Sequence, residues 1–154
     1  EIKKSKLEMV YLSYFVPWNS HHNYQVAQRY GFKHLDHEYT RENTLENYNQ
    51  IDSISYLLGQ FLKYPKYGHS AATEMASRWI RYGLKNREDM IPLVEEIDGK
   101  LDQTVVEKFC KFTDLSIKEF WEILDKWYNK RYFEKDSDGI WHKKFKVGHG
   151  LIKK

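Results

Sequence analysis

Ser116-Ile117-Lys118-Glu119-Phe120-Trp121-Glu122-Ile123-Leu124 opens with a capping box, in which a Ser and a Glu three residues later satisfy each other's backbone N–H groups. Leu115 and Phe120 flank it at the spacing of a hydrophobic staple. The apolar stripe that follows, Phe120, Ile123 or Leu124, and Trp127, has the helical period, so a helix starts here and buries one face.

Outward from this segment the same grammar recurs. Asp102 caps a helix carrying Val106, Phe109 and Cys110, and Asn86 with Asp89 starts another with Pro92 in its early part. Ala72, Met75, Ala76, Trp79 and Ile80 fit positions i, i+3, i+4, i+7 and i+8, preceded by Ile51, Ile54, Leu58, Phe61 and Leu62 at similar spacing. Ser20 caps a helix to Tyr30, ended by Gly31 and Phe32, and Arg81-Tyr82-Gly83-Leu84 repeats that ending. Met9-Val10-Tyr11-Leu12-Ser13-Tyr14-Phe15-Val16 reads differently, as one buried strand stopped by Pro17. Such a strand pairs with a partner or belongs to a sheet outside these residues. The expected fold is therefore mainly α: a helical bundle at 19–132, an N-terminal strand at 1–18 and a basic, loose tail at 133–154, where Asp136-Ser137-Asp138-Gly139 marks a turn.

Composition narrows the class. The 154 residues include 41% hydrophobic and 31% charged ones, with 5 Trp, 12 Tyr and 8 Phe to build a core, and no apolar run approaches the roughly 20 residues of a bilayer span. The single cysteine, Cys110, makes no internal disulfide, which points to a reducing, cytoplasmic setting. It lies on an apolar helical stripe and is read as core. The sequence starts at Glu1 without an initiator Met, so it is expected to be processed or part of something longer. Net charge is +2 over 1–30, −4 over 31–124 and +5 over 125–154. The basic end is read as solvated or partner-facing; Trp141-His142-Lys143-Lys144-Phe145-Lys146 interleaves rings and cations as a single-strand-binding surface does, but is too short to make nucleic acid the expected partner.

Several chemistries are excluded. No glycines cluster ahead of a helix to cradle phosphate. His21-His22 and His34-x-x-His37 lack Cys or carboxylate partners at metal spacing, so no metal site is expected. The stretch that stands out is Ser77-Arg78-Trp79-Ile80-Arg81-Tyr82-Gly83: Arg78 and Arg81 sit one helical turn apart, suited to a carboxylate or phosphate. The plainer reading is a Glu74–Arg78 surface pair with Arg81 in water. Asp52 and Ser53 would ordinarily be the polar side of a helix.

Tyr11-Leu12-Ser13-Tyr14-Phe15-Val16-Pro17-Trp18, Asn47-Tyr48-Asn49-Gln50-Ile51-Asp52-Ser53-Ile54 and Ala76-Ser77-Arg78-Trp79-Ile80-Arg81-Tyr82-Gly83 resemble, in order and spacing, the C-terminal portion of the N-acetyl sugar amidotransferases. The likeness continues through Lys100-Leu101-Asp102-Gln103 and Phe120-Trp121-Glu122-Ile123. These are bacterial enzymes of lipopolysaccharide, O-antigen and surface-polysaccharide biosynthesis. The resemblance implies the C-terminal part of an α/β PP-loop ATP pyrophosphatase of the adenine nucleotide alpha-hydrolase-like kind. Such an enzyme uses ATP and Mg to adenylate the amide oxygen of a nucleotide-linked N-acetyl sugar, and ammonia from a glutaminase partner then displaces AMP, leaving an acetamidino group. The family's Ser-Gly-Gly-x-Asp-Ser loop lies in its N-terminal half and is absent from this sequence, so this chain alone is expected to bind no cofactor and to be inactive. On the same resemblance the end of the strand places Trp18 and Asn19 at a ligand edge. Arg41, Lys66, Arg78 and Arg81 become candidates for diphosphate or pyrophosphate, with Asp52 and Ser53 beside them. The alternative is a non-catalytic helical module that docks the glutaminase.

Overall fold

The computed structural model describes residues 5, 8–34, 37, 41–42, 44–50, 52–53 and 55–151. Its elements are mainly helical: α1 (Ser20–Arg29), α2 (Ser55–Phe61), α3 (Lys63–Tyr67), α4 (Ala71–Arg81), α5 (Arg87–Ile97), α6 (Gln103–Thr113) and α7 (Ile117–Asp125), then four short strands, β1 (Phe133–Lys135), β2 (Trp141–Lys143), β3 (Phe145–Lys146) and β4 (Gly150–Leu151). The chain divides into two compact units, Glu1–Lys33 and His34–Lys154.

In the first unit the expected strand is not formed. Leu12–Tyr14 makes a single 3-10 turn closed by Tyr14 and Phe15 N–H groups on the Tyr11 and Leu12 carbonyls. Among the described residues no neighbouring strand takes up these backbone groups, and none through Lys33 is buried; Met9 is 97% exposed. A β-prone, apolar run forms a strand only where another strand receives its hydrogen bonds. Helix α1 begins one residue earlier in its capping than expected: Asn19 is the cap, its carboxamide oxygen accepting from His22 N at 2.7 Å. It ends as read, with Gly31 at φ +90° and Phe32 N–H reaching back to Ala27 O.

The second unit holds two apolar clusters. Leu57, Leu58 and Phe61 of α2 meet Val105, Val106 and Cys110 of α6 and Phe120 and Leu124 of α7. Ala72 and Ala76 of α4 meet Met90 and Val94 of α5. The caps drawn from sequence hold: Asp102 accepts from Thr104 N at 2.8 Å, and Ser116 and Glu119 complete the capping box. Gly83, at φ +69°, closes α4 with Leu84 N–H on Trp79 O. Pro92 stands in the middle of α5, on its exposed side. Asp52 and Ser53 precede α2 instead of lying in it, while Ile51 and Ile54 fall outside the described residues.

The C-terminal segment, expected to be loose, is paired and packed. β1 and β2 form an antiparallel hairpin with Phe133 opposite Lys143, and β3 pairs with β4. Asp136 makes the turn, its Oδ1 accepting from Asp138 and Ile140 N–H at 3.0 and 2.8 Å. Phe133 is buried and meets Tyr64, Tyr128 and Phe145 edge to face.

Candidate functional site

A carboxylate that the sequence did not single out organises the polar corner of the second unit. Glu46 lies in the aperiodic segment before α2, and only 1% of it is exposed. Its N–H donates to Thr44 Oγ1 at 3.1 Å, fixing a tight local turn. Arg41 Nη1 donates to Asn49 O at 2.6 Å and reaches Glu46 O at 3.5 Å, so a buried guanidinium staples the same segment. The Glu46 side chain then points at α4. Trp79 Nε1 donates to Oε1 at 2.7 Å, and Arg78 Nη2 to Oε2 at 3.4 Å. A buried carboxylate is tolerable only when paired in this way.

Arg78 is not used up by that contact. Its side chain is 30% exposed and its buried Nε has no hydrogen-bond partner. Arg81, one turn on, is exposed. Beside them Lys63 Nζ contacts Glu74 Oε1 at 2.7 Å and Gln60 Oε1 at 2.8 Å. Burial raises the Tyr56 phenol above its ordinary value, an effect opposed by the nearby charges of Arg78, Lys63 and Arg41. The corner gathers cations around a phenol and presents guanidinium groups to solvent, a chemistry suited to holding an anion.

The sequence candidates fall in different places. Arg41 and Arg78 come together on Glu46, though Arg41 does so through Nη1 on backbone carbonyls. Arg78 pairs with Glu46 and not with Glu74, whose partner is Lys63. Lys66 sets its ammonium 4.1 Å from the centre of the Trp127 ring. Ser53 Oγ lies 3.0 Å from Ser55 Oγ, and Asp52 is exposed. In the first unit, Asn19 caps α1 and Trp18 lines a shallow cleft with Tyr11, Leu12 and Ser13. Glu46, Tyr56 and the indole of Trp79 were missed; no periodicity marks Glu46, and Trp79 read as plain core.

Several other polar groups are internally occupied. Asp98, buried at the end of α5, accepts from Ser70 N at 2.9 Å, from Thr73 N at 3.1 Å and from Thr73 Oγ1 at 2.7 Å. Trp141 stacks on Tyr128 at 4.8 Å and donates to Asp125, which also holds Lys135. Lys143 pairs with Glu95. These rings and cations are engaged within the fold. Among the described residues no group of three or more His, Cys, Asp or Glu is placed to hold a metal, and no helix is long and apolar enough to cross a membrane.

Residues 42–147 match the family described as LPS biosynthesis protein WbpG-like, C-terminal domain. The chain belongs to this family. The match takes in Glu46, Tyr56, Arg78 and Arg81, whereas Trp18, Asn19 and Arg41 lie before it. It ties the WbpG-like domain to lipopolysaccharide biosynthesis, in line with the class of pathway that the aromatic-rich words implied. Comparison with curated proteins returns no match.

Proposed function

We propose that this chain is the C-terminal region of an ATP-dependent N-acetyl sugar amidotransferase of lipopolysaccharide biosynthesis, and that Arg78 and Arg81 receive the diphosphate of its nucleotide-linked sugar. The observation that carries the reading is Arg78 itself: anchored through one amino group, its side chain stays 30% exposed beside exposed Arg81. Planar guanidinium groups one helical turn apart match the oxygens of a diphosphate. Membership in a lipopolysaccharide biosynthesis family and the resemblance of Ala76 to Gly83 to the amidotransferases support it.

In that reaction the N-acetyl oxygen is adenylated with loss of pyrophosphate, and ammonia from a glutaminase displaces AMP to leave the acetamidino group. On the resemblance, ATP and Mg belong to the N-terminal half that carries the family's Ser-Gly-Gly-x-Asp-Ser loop. The role of this chain is to bind and orient the sugar nucleotide in the cytoplasm. Calorimetric titration of UDP-N-acetylglucosamine into the full-length polypeptide tests this. Arg78→Ala is expected to weaken binding about tenfold or more, the worth of a charge-assisted hydrogen bond. Unchanged affinity would return Arg78 to an internal ion pair.

A second reading, docking of the glutaminase, draws on an apolar cavity of about 160 Å³ between α2, α6 and α7, lined by Leu58, Leu62, Phe109, Phe120 and Trp127. Trp121 stands exposed on the same helix as Phe120. Loss of glutaminase binding on Trp121→Ala, with sugar-nucleotide affinity intact, would support it.

A further inference from the structure

We infer that Glu46 is a positioning residue for anion binding at Arg78, acting through the guanidinium without touching the ligand. The inference rests on the anion-binding reading of Arg78 given above. An arginine on the flank of a helix samples many rotamers, and each donor it aims at a ligand must first be ordered. Here the ordering is built in. Glu46 is immobilised by burial, by its own N–H on Thr44 and by the indole N–H of Trp79 at 2.7 Å. Its second oxygen then takes Arg78 Nη2 at 3.4 Å, which holds one edge of the guanidinium against the fold while the side chain stays 30% exposed. Trp79 and Arg78 are consecutive on α4, so a single carboxylate oxygen pair reads both and ties the guanidinium to the frame of the helix.

Electrostatics alone predicts the opposite role. A carboxylate beside an anion site repels the anion, so neutralising it should tighten binding. Positioning predicts that the same change weakens binding, because the carboxamide of Gln keeps an acceptor for Trp79 but loses the charge that holds Arg78. The sign of the change therefore separates the two.

The experiment is titration of UDP-N-acetylglucosamine into the full-length polypeptide without ATP, comparing the parent with Glu46→Gln, Trp79→Phe and Arg78→Ala. It is repeated near 1 M salt, where screening acts over about 3 Å and long-range repulsion is suppressed. Glu46→Gln is expected to weaken binding about tenfold at both salt concentrations, the scale of one lost charge-assisted hydrogen bond. Trp79→Phe changes no charge and is expected to weaken it a few-fold by freeing Glu46. It also decides the matter if Glu46→Gln fails to fold, since thermal unfolding reports folding of each variant separately. Equal or tighter binding by Glu46→Gln, with Arg78→Ala still defective, overturns positioning and leaves the anion site standing. Parent-like binding by Arg78→Ala overturns the anion site itself and this inference with it.

Discussion

Two buried carboxylates face α4 from different sides, and they are satisfied in opposite ways. Asp98 sits at the N-terminus of the helix, where Ser70 N, Thr73 N and the Thr73 hydroxyl donate to it, and the Ser70 hydroxyl lies 2.7 Å from its Oδ1. All of these donors are neutral, and the helix dipole favours the negative charge there. Glu46 meets the C-terminal half of α4 through one neutral donor, Trp79, and one cation, Arg78, that is still partly in water. The first arrangement is closed and acts as a cap borrowed from α5. The second leaves donor capacity over, which is what distinguishes a binding corner from a structural one.

Asp98→Asn should do the greatest damage. The carboxamide would turn an N–H₂ group toward donors that need an acceptor, at a residue only 3% exposed. We expect a loss of about 3 kcal/mol in urea unfolding, the range for a broken buried, charged hydrogen-bond set, with sugar-nucleotide affinity unchanged in the folded protein. Glu46→Gln should cost less, about 1–2 kcal/mol, because Arg78 can turn into solvent when released. Its larger effect is on binding. If Glu46→Gln proved the more destabilising of the two, the contrast between closed and open carboxylates would fail.

The parts of this contrast that were legible in the sequence are the local ones. Ser116 and Glu119, Asp102, Gly31 and Gly83 act within a few residues of themselves, and the helices they bound follow from caps and period. Glu46 meets Arg78 and Trp79 across a gap of 32 and 33 residues, from a segment with no period, so its burial is invisible until α4 has packed. Asp98 has the same character: as the residue after α5 it looks like a solvated helix end. Met9–Val16 shows the converse error. Its composition is that of a buried strand, yet composition states only what a segment can bury and says nothing of whether a neighbour is there. In the C-terminal segment the Asp136–Gly139 turn was readable, whereas strands of two or three residues are too short to show alternation.

An exposed carboxylate of local origin extends the comparison to weaker cases. Glu119 is held below its usual value by the hydroxyl and the N–H of Ser116. Ser116→Ala should remove the hydroxyl's part of that hold, leaving the backbone N–H, and cost about 1 kcal/mol in unfolding free energy, with no effect on ligand binding. A cost near that of Asp98→Asn would mean that α7 depends on its cap more than on the burial of Phe120 and Leu124.

The smallest effect belongs to Asp125, whose carboxyl is held below the ordinary range first by Lys135 and then by the indole N–H of Trp141. A lowered value in the folded state means that its contribution is fully present above the unfolded value of about 3.9. It is lost as pH falls through the lower folded value. Stability near neutrality should therefore not vary with pH through this group, and the hairpin should loosen only below about pH 4. The pair is exposed, so solvent screening keeps the change small. It is best read locally, from the NMR resonance of the Trp141 indole N–H, which should titrate with a midpoint under the ordinary carboxylate value. Asp136, also lowered, chiefly by the N–H of Ile140, immediately follows β1 and titrates below the ordinary carboxylate value as well. Asp125→Asn separates them, because it should abolish the indole titration while the Ile140 amide still reports Asp136. A midpoint at or above the ordinary value would mean that Lys135 and Trp141 do not hold Asp125 in solution, and that the hairpin rests on its ladder, the Asp136 turn, Phe133 and the Tyr128–Trp141 stack without it.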